Sequence, residues 1–120
     1  MTTKTHFNVS VIENIPVIKL ADSKFVDRLM IQETQDELIE YIQIGKPERL
    51  VISFEGVKSI SSEFITTLLR CNEYVRSVEG DLILSCMSPV VRMAFQVTNL
   101  DGNVLRIHNS VINAIDSFRS

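Results

Sequence analysis

The 120-residue chain carries 12 Lys and Arg against 15 Asp and Glu, a net charge of −3, and is 45% hydrophobic. That size and balance suit one soluble globular domain over residues 1–120 and argue against the basic face of a nucleic-acid binder. No apolar run approaches the roughly 20 residues of a membrane-spanning helix, and the opening Met1-Thr-Thr-Lys-Thr-His-Phe lacks the hydrophobic stretch of a secretory signal, so the expected setting is cytoplasmic, without membrane or nucleic-acid partners.

Residues 7–13 alternate apolar and polar, as a half-exposed strand does, and Asn14-Ile15-Pro16 supplies a turn into a second strand, Val17-Ile18-Lys19-Leu20. Asp22 or Ser23 is the expected N-cap of a helix with Val26, Met30, Thr34, Leu38 and Ile42 on its apolar stripe. Its other face, with Asp27, Arg28, Glu33, Asp36, Glu37 and Glu40, reads as a solvated charge run. Gly45, able to take a left-handed turn, stops the helix with Pro47 behind it.

Leu50-Val51-Ile52-Ser53-Phe54 is a short run rich in β-branched and aromatic residues, the pattern of a strand buried on both faces. Glu55-Gly56 breaks it. From Ser62 the spacing turns helical, with Phe64, Leu68, Cys71, Val75 and Val78 on one stripe. Between strand and helix lies Ser59-Ile60-Ser61-Ser62, where unpaired N–H groups and the helix dipole favour an anion. Ser61 and Ser62 also suit plain helix capping. The expected exposed face of this helix carries Glu63, Thr66, Thr67, Arg70, Glu73 and Ser77, and with residues 22–24 it forms a candidate docking surface.

Glu79-Gly80-Asp81 turns into another short buried strand, Leu82-Ile83-Leu84, and Ser88-Pro89 puts a capping hydroxyl before a proline at the first helical position. The helix that follows carries Val90, Ala94 and Val97 with Val91 and Phe95 beside them. Asn99-Leu100-Asp101-Gly102 closes it before a last strand, Val104-Leu105-Arg106-Ile107. Asn109 or Ser110 caps a final helix with Val111, Ala114, Ile115 and Phe118 inward. The order ββαβαβαβα calls for an α/β fold: a mixed, mostly parallel sheet of about five strands packed with about four helices.

Enzyme readings find little support. His6 and His108 are the only imidazoles, have no metal-ligand spacing, and read as ordinary strand-end residues. Ser62 has Ile60 and Phe64 where a hydrolase elbow has glycines, and no phosphate-binding Gly-Lys-Ser/Thr loop occurs, so no catalytic residue, metal or cofactor is expected. Cys71 and Cys86 lie far apart in apolar surroundings, as reduced buried thiols do; a disulfide between them stays open.

Gly56-Val57, Ser62, Leu68-Leu69, Gly80, the apolar strand 82–84, Ser88-Pro89-Val90-Val91-Arg92 and Leu100-Asp101 follow one another as in the STAS domain of bacterial anti-sigma-factor antagonists, which the chain resembles from Leu50 onward. The resemblance implies the STAS fold and a partner that is both anti-sigma factor and serine kinase, with a phosphatase resetting the cycle. By position it makes Ser62 the phosphoacceptor, with Ser61 and Ser59 as lesser candidates. Partner contacts are then expected at Ser59, Ile60, Ser61, Ser62, Glu63, Thr66, Thr67 and Arg70. Ser61 stands where the family usually has Asp, Glu63 where it often has Ser, and Phe64 where it often has Gly. The same fold serves as a non-phosphorylated scaffold among other STAS proteins, in stressosome-like assemblies or beside transporters, and that is the alternative.

Overall fold

A computed structural model describes residues 6–102 and 104–119. Residues 1–5, read above only for the lack of a leader pattern, lie outside the described residues. The chain opens with an antiparallel hairpin of β1 (Phe7–Ile12) and β2 (Ile15–Leu20), closed by Glu13 and Asn14, both at positive φ. This two-residue turn, whose backbone matches the strand twist, replaces the predicted Asn14-Ile15-Pro16 turn. Pro16 sits inside β2, just before residues 17–19, which pair with the next long strand, so its missing N–H interrupts no ladder there.

After β3 (Lys24–Phe25) come α1 (Arg28–Gly45), β4 (Arg49–Ser53), β5 (Ser59–Ile60), α2 (Ser62–Ser77) and β6 (Asp81–Ser85). Then follow α3 (Pro89–Val97), β7 (Arg106–His108) and α4 (Val111–Ser117). The main sheet has five strands in the order β1-β2-β4-β6-β7, parallel throughout except for the hairpin, and four helices cover it. That is the expected STAS architecture. The two-residue strands β3 and β5 pair separately and were not predicted.

Strand alternation divides the interior in two. Ile18, Leu20, Leu50, Ile52, Leu82 and Leu84 face a large core shared with the first three helices. Ile15, Val17, Val51 and Ile83 face Ala114 and Ile115 of α4. Burial on both faces is why β4 and β6 read as unbroken apolar runs.

Several helix boundaries differ from the sequence reading. Neither Asp22 nor Ser23 caps α1; Asp27 does, its carboxylate accepting from the Met30 N–H at 3.0 Å. Residues 24–25 are held extended by pairing with β5, so the helix cannot start earlier, and Val26 is left exposed ahead of it. At the other end Lys46, not Gly45, takes the left-handed conformation and donates its N–H to the Ile42 carbonyl at 2.8 Å. Ser88 and Ser110 cap α3 and α4 with their hydroxyls. In α3 Val91 and Phe95 are buried, whereas Val90 and Val97 are exposed together with Met93. Cys71 and Cys86 are free thiols, and complete burial pushes the Cys71 thiol up to about 12, so it stays protonated.

In the turn before β6, Glu79 carries the positive φ and Gly80 supplies room. A Cβ on Gly80 would lie 2.2 Å from the Pro47 carbonyl oxygen and 2.9 Å from Val75 Cγ1. The carbonyl is backbone and cannot swing aside. Gly80→Ala is therefore expected to cost about 1–3 kcal/mol, seen as a lower urea midpoint at unchanged m-value.

Candidate functional site

The corner between β4 and α2 is built by hydrogen bonds from another part of the chain. Gly56 turns at φ 87°, and the Val57 N–H donates back to the Phe54 carbonyl at 2.9 Å. The Lys58 and Ser59 N–H groups then both donate to the Ser23 carbonyl, at 2.7 and 3.3 Å, and the Ser61 N–H donates to the Phe25 carbonyl at 3.0 Å. β3 thus serves as a template on which residues 58–61 are laid out. Below them Phe64 stacks on Phe25, ring centroids 4.4 Å apart, with Phe54 edge-on to Phe64 at 6.3 Å. Both layers fix the first turn of α2 against the core.

Ser61 is the N-cap residue by backbone geometry: its carbonyl accepts from the Phe64 and Ile65 N–H groups at 3.1 and 3.3 Å. Its side chain makes no capping bond, and the hydroxyl oxygen is buried without a hydrogen-bond partner. The expectation that the Ser61 hydroxyl caps the helix is therefore overturned, because the oxygen is buried and makes no bond to the first turn. Ser62 is the first residue of the helix and is exposed. A residue at that position cannot cap the helix it belongs to, so its hydroxyl is free of that duty.

Glu63 and Thr66 are exposed, and Thr66 returns its hydroxyl to the Ser62 carbonyl at 3.3 Å. Glu63 also meets Arg28 at the start of α1, at 3.4 Å. Thr67, expected on the exposed face, is instead 1% exposed and donates to Gln35 Oε1 of α1 at 3.0 Å. Helical geometry turns it 100° past Thr66 and into the α1–α2 contact, which removes it from any partner surface. Exposed Arg70 donates to the same Gln35 oxygen at 3.2 Å, so one amide ties two turns of α2 to α1. Ser59 and Ile60 are half-buried in β5. The described surface at this corner therefore comprises Ser62, Glu63, Thr66 and Arg70, with the edges of residues 59–61.

Arg92 is engaged within the domain. Its Nε donates to Asp101 at 2.9 Å, one Nη to Asn109 Oδ1 at 2.9 Å and the other to the Ile107 carbonyl at 3.3 Å, pinning α3 to the end of β7. Sequence reasoning also missed apolar side chains flanking the corner. Val26 and Leu29 are 48% and 70% exposed where α1 begins, beside Arg28 and its contact with Glu63. On the other side α3 packs against β5 and leaves Val90 and Met93 71% and 58% exposed. Their signal was a second apolar stripe in α3 that a one-faced helix would not need.

No helix among the described residues is long and apolar enough to cross a membrane. No curated protein matches the chain in sequence. Among solved structures, an anti-sigma-factor antagonist (STAS) domain protein from Planctomyces limnophilus has TM-score 0.81 and 21% identity, with 95% of this chain and 98% of that chain covered. The anti-sigma factor antagonist SpoIIAA in its unphosphorylated form has TM-score 0.75 and 24% identity, covering 94% and 96%. The Bacillus cell-fate determinant SpoIIAA in its phosphorylated form has TM-score 0.68 and 24% identity, covering 94% and 99%. At such identities the likeness speaks for the fold. The STAS domain family model matches residues 6–114, nearly all of the sheet and helices described above, and the chain belongs to the STAS domain family.

Proposed function

We propose that this STAS domain is an anti-sigma-factor antagonist that docks through the β5–α2 corner onto a protein that is both anti-sigma factor and serine kinase. Phosphorylation of Ser62 releases it, and a phosphatase restores docking. The observation that carries the reading is the placement of Ser62: exposed, at the first position of a helix whose opening turn is fixed by the β3 template and the Phe25–Phe64 stack. A hydroxyl so placed is accessible to a kinase, and the dianion it would gain sits where helix N–H groups favour negative charge. The exposed apolar side chains Val26, Leu29, Val90 and Met93 supply the water-excluding part of such an interface, with Glu63 and Arg70 at its polar part.

The test is incubation with a candidate anti-sigma factor of the serine-kinase class and ATP, followed by mapping of the modified residue. Label on Ser62, lost in Ser62→Ala, is the expected result. Failure of Ser62 to take up label, while Ser62→Asp still binds, would remove the switch. A second reading, a non-phosphorylated scaffold among other STAS proteins, draws on the Ser61 hydroxyl, which is buried without a partner where the family's carboxylate would stand. It expects assembly with itself or another STAS protein in light scattering, and a strict monomer counts against it.

A further inference from the structure

His6, read from sequence as an ordinary strand-end residue, is buried between two acids. Its Nδ1 lies 2.7 Å from Asp22 Oδ2 and its Nε2 lies 3.2 Å from Glu33 Oε1, with the side chain 11% exposed. A carboxylate only accepts, so both contacts are hydrogen bonds only when both ring nitrogens carry protons. A neutral imidazole has one N–H and can keep one of the two. The arrangement therefore specifies an imidazolium by geometry alone.

This clasp is one peptide unit away from the template of the docking corner. Asp22 precedes Ser23, whose carbonyl holds the Lys58 and Ser59 N–H groups. Glu33 lies on α1, whose first residue, Arg28, meets Glu63 of α2. His6 is itself fixed by backbone, its carbonyl accepting from the Ala21 N–H at 2.9 Å. Loss of the ring proton frees either Asp22 or Glu33 and leaves the two acids, with Glu37 of α1 behind them, without the cation that separates them.

We propose that the protonation of His6 sets how firmly residues 22–25 grip residues 58–61, making the β5–α2 corner tighter in acid and looser in alkali. The coupling itself needs no partner; only its consequence for docking rests on the function proposed above. Burial draws the imidazole down, but the hydrogen bonds to Asp22 and Glu33 and the charges of Asp22 and Glu37 overcome that and hold it above its usual 6.5. A group raised on folding stabilises fully below the unfolded value, about 6.5, and its contribution disappears as the pH climbs through the higher folded value. Stability and corner rigidity should both decline above pH 6.5, a range that a cell can cross.

The experiment follows the His6 ring resonances by NMR across pH, with amide exchange of Lys58 and Ser59 corrected for intrinsic rates. Protection of both amides is expected to fall on the order of tenfold as His6 deprotonates. Glu33→Gln is the decisive variant, because Glu33 is the more exposed acid and an amide can pair with a neutral ring. It should move the His6 titration to lower pH and carry the loss of amide protection with it. His6→Gln should show the weakly protected corner at every pH. A protection step that stays in place when the His6 titration moves, or no step while His6 titrates, overturns the proposal. Neither readout involves the docking partner, so failure of the docking reading is a separate result.

Discussion

Ser62→Asp is expected to weaken the proposed docking onto a serine-kinase partner about 100-fold while leaving the fold intact. The two halves of that result have different causes. Within the domain, the new carboxylate occupies the first helical position of α2, next to backbone N–H groups that have no partner inside the helix. Negative charge there contributes about 0.3–1 kcal/mol in favour of the helix, partly offset by its neighbour Glu63. Ser62 is exposed, so nothing in the core must move. In the complex the same charge has to lose its water. A desolvated charge with no opposite partner costs about 2–5 kcal/mol at an interface, and 3 kcal/mol corresponds to roughly two orders of magnitude in Kd. Calorimetric titration of the kinase with wild type, Ser62→Ala and Ser62→Asp separates these effects. Ser62→Ala should bind like wild type and take no label. Equal affinity for wild type and Ser62→Asp, with both folded, would show that Ser62 lies outside the interface.

The parts of this corner that could be read from the chain are those whose cause is local. Leu82-Ile83-Leu84 announces a buried strand because both faces of β6 are covered, and Ser88-Pro89 announces a helix because cap and first position adjoin in sequence. The parts that could not be read are decided by distant residues. Asp22 and Asp27 are chemically equal candidates to cap α1, and what selects Asp27 is the pairing of residues 24–25 with 59–60, more than 30 positions away. Thr67 looks like surface until Gln35 arrives from α1 to satisfy its hydroxyl. His6 has no meaning until the fold brings Asp22 and Glu33 to its two nitrogens. In α3 nearly every position is apolar, so periodicity cannot choose between the Val91–Phe95 stripe and the Val90–Met93–Val97 stripe. The sheet faces choose, and the stripe left outside becomes exposed surface.

Phe64 is one of the departures from the pattern of the family the chain resembles, and truncating it should give a large loss of stability. The family often has glycine at this place, whereas here a fully buried ring lies nearly parallel to Phe25, at 17°, and meets the edge of Phe54, which in turn meets Phe95. Four aromatic rings thus run from β3 through α2 and the end of β4 to α3. Phe64→Ala removes the second ring of that row and leaves a cavity whose walls are held by sheet and helix backbone. The expected cost is about 3–5 kcal/mol, of which the ring–ring geometry accounts for about 0.5–1.5. Phe64→Gly should cost about 1 kcal/mol more, because glycine weakens the helix as well. Phe64→Leu, which keeps most of the apolar volume, should recover part of the loss. Urea unfolding of the three variants measures the series, and the order Leu, Ala, Gly tests whether packing or helix propensity dominates. The consequence reaches the surface: with the Phe25–Phe64 stack gone, residues 58–61 keep the Ser23 and Phe25 carbonyls but lose the aromatic layer beneath them, so amide protection of Lys58, Ser59 and Ser61 should fall even where the variant remains folded. A loss below about 1 kcal/mol for Phe64→Ala would mean that the neighbouring rings collapse into the space, and that the first turn of α2 is held by the backbone template alone.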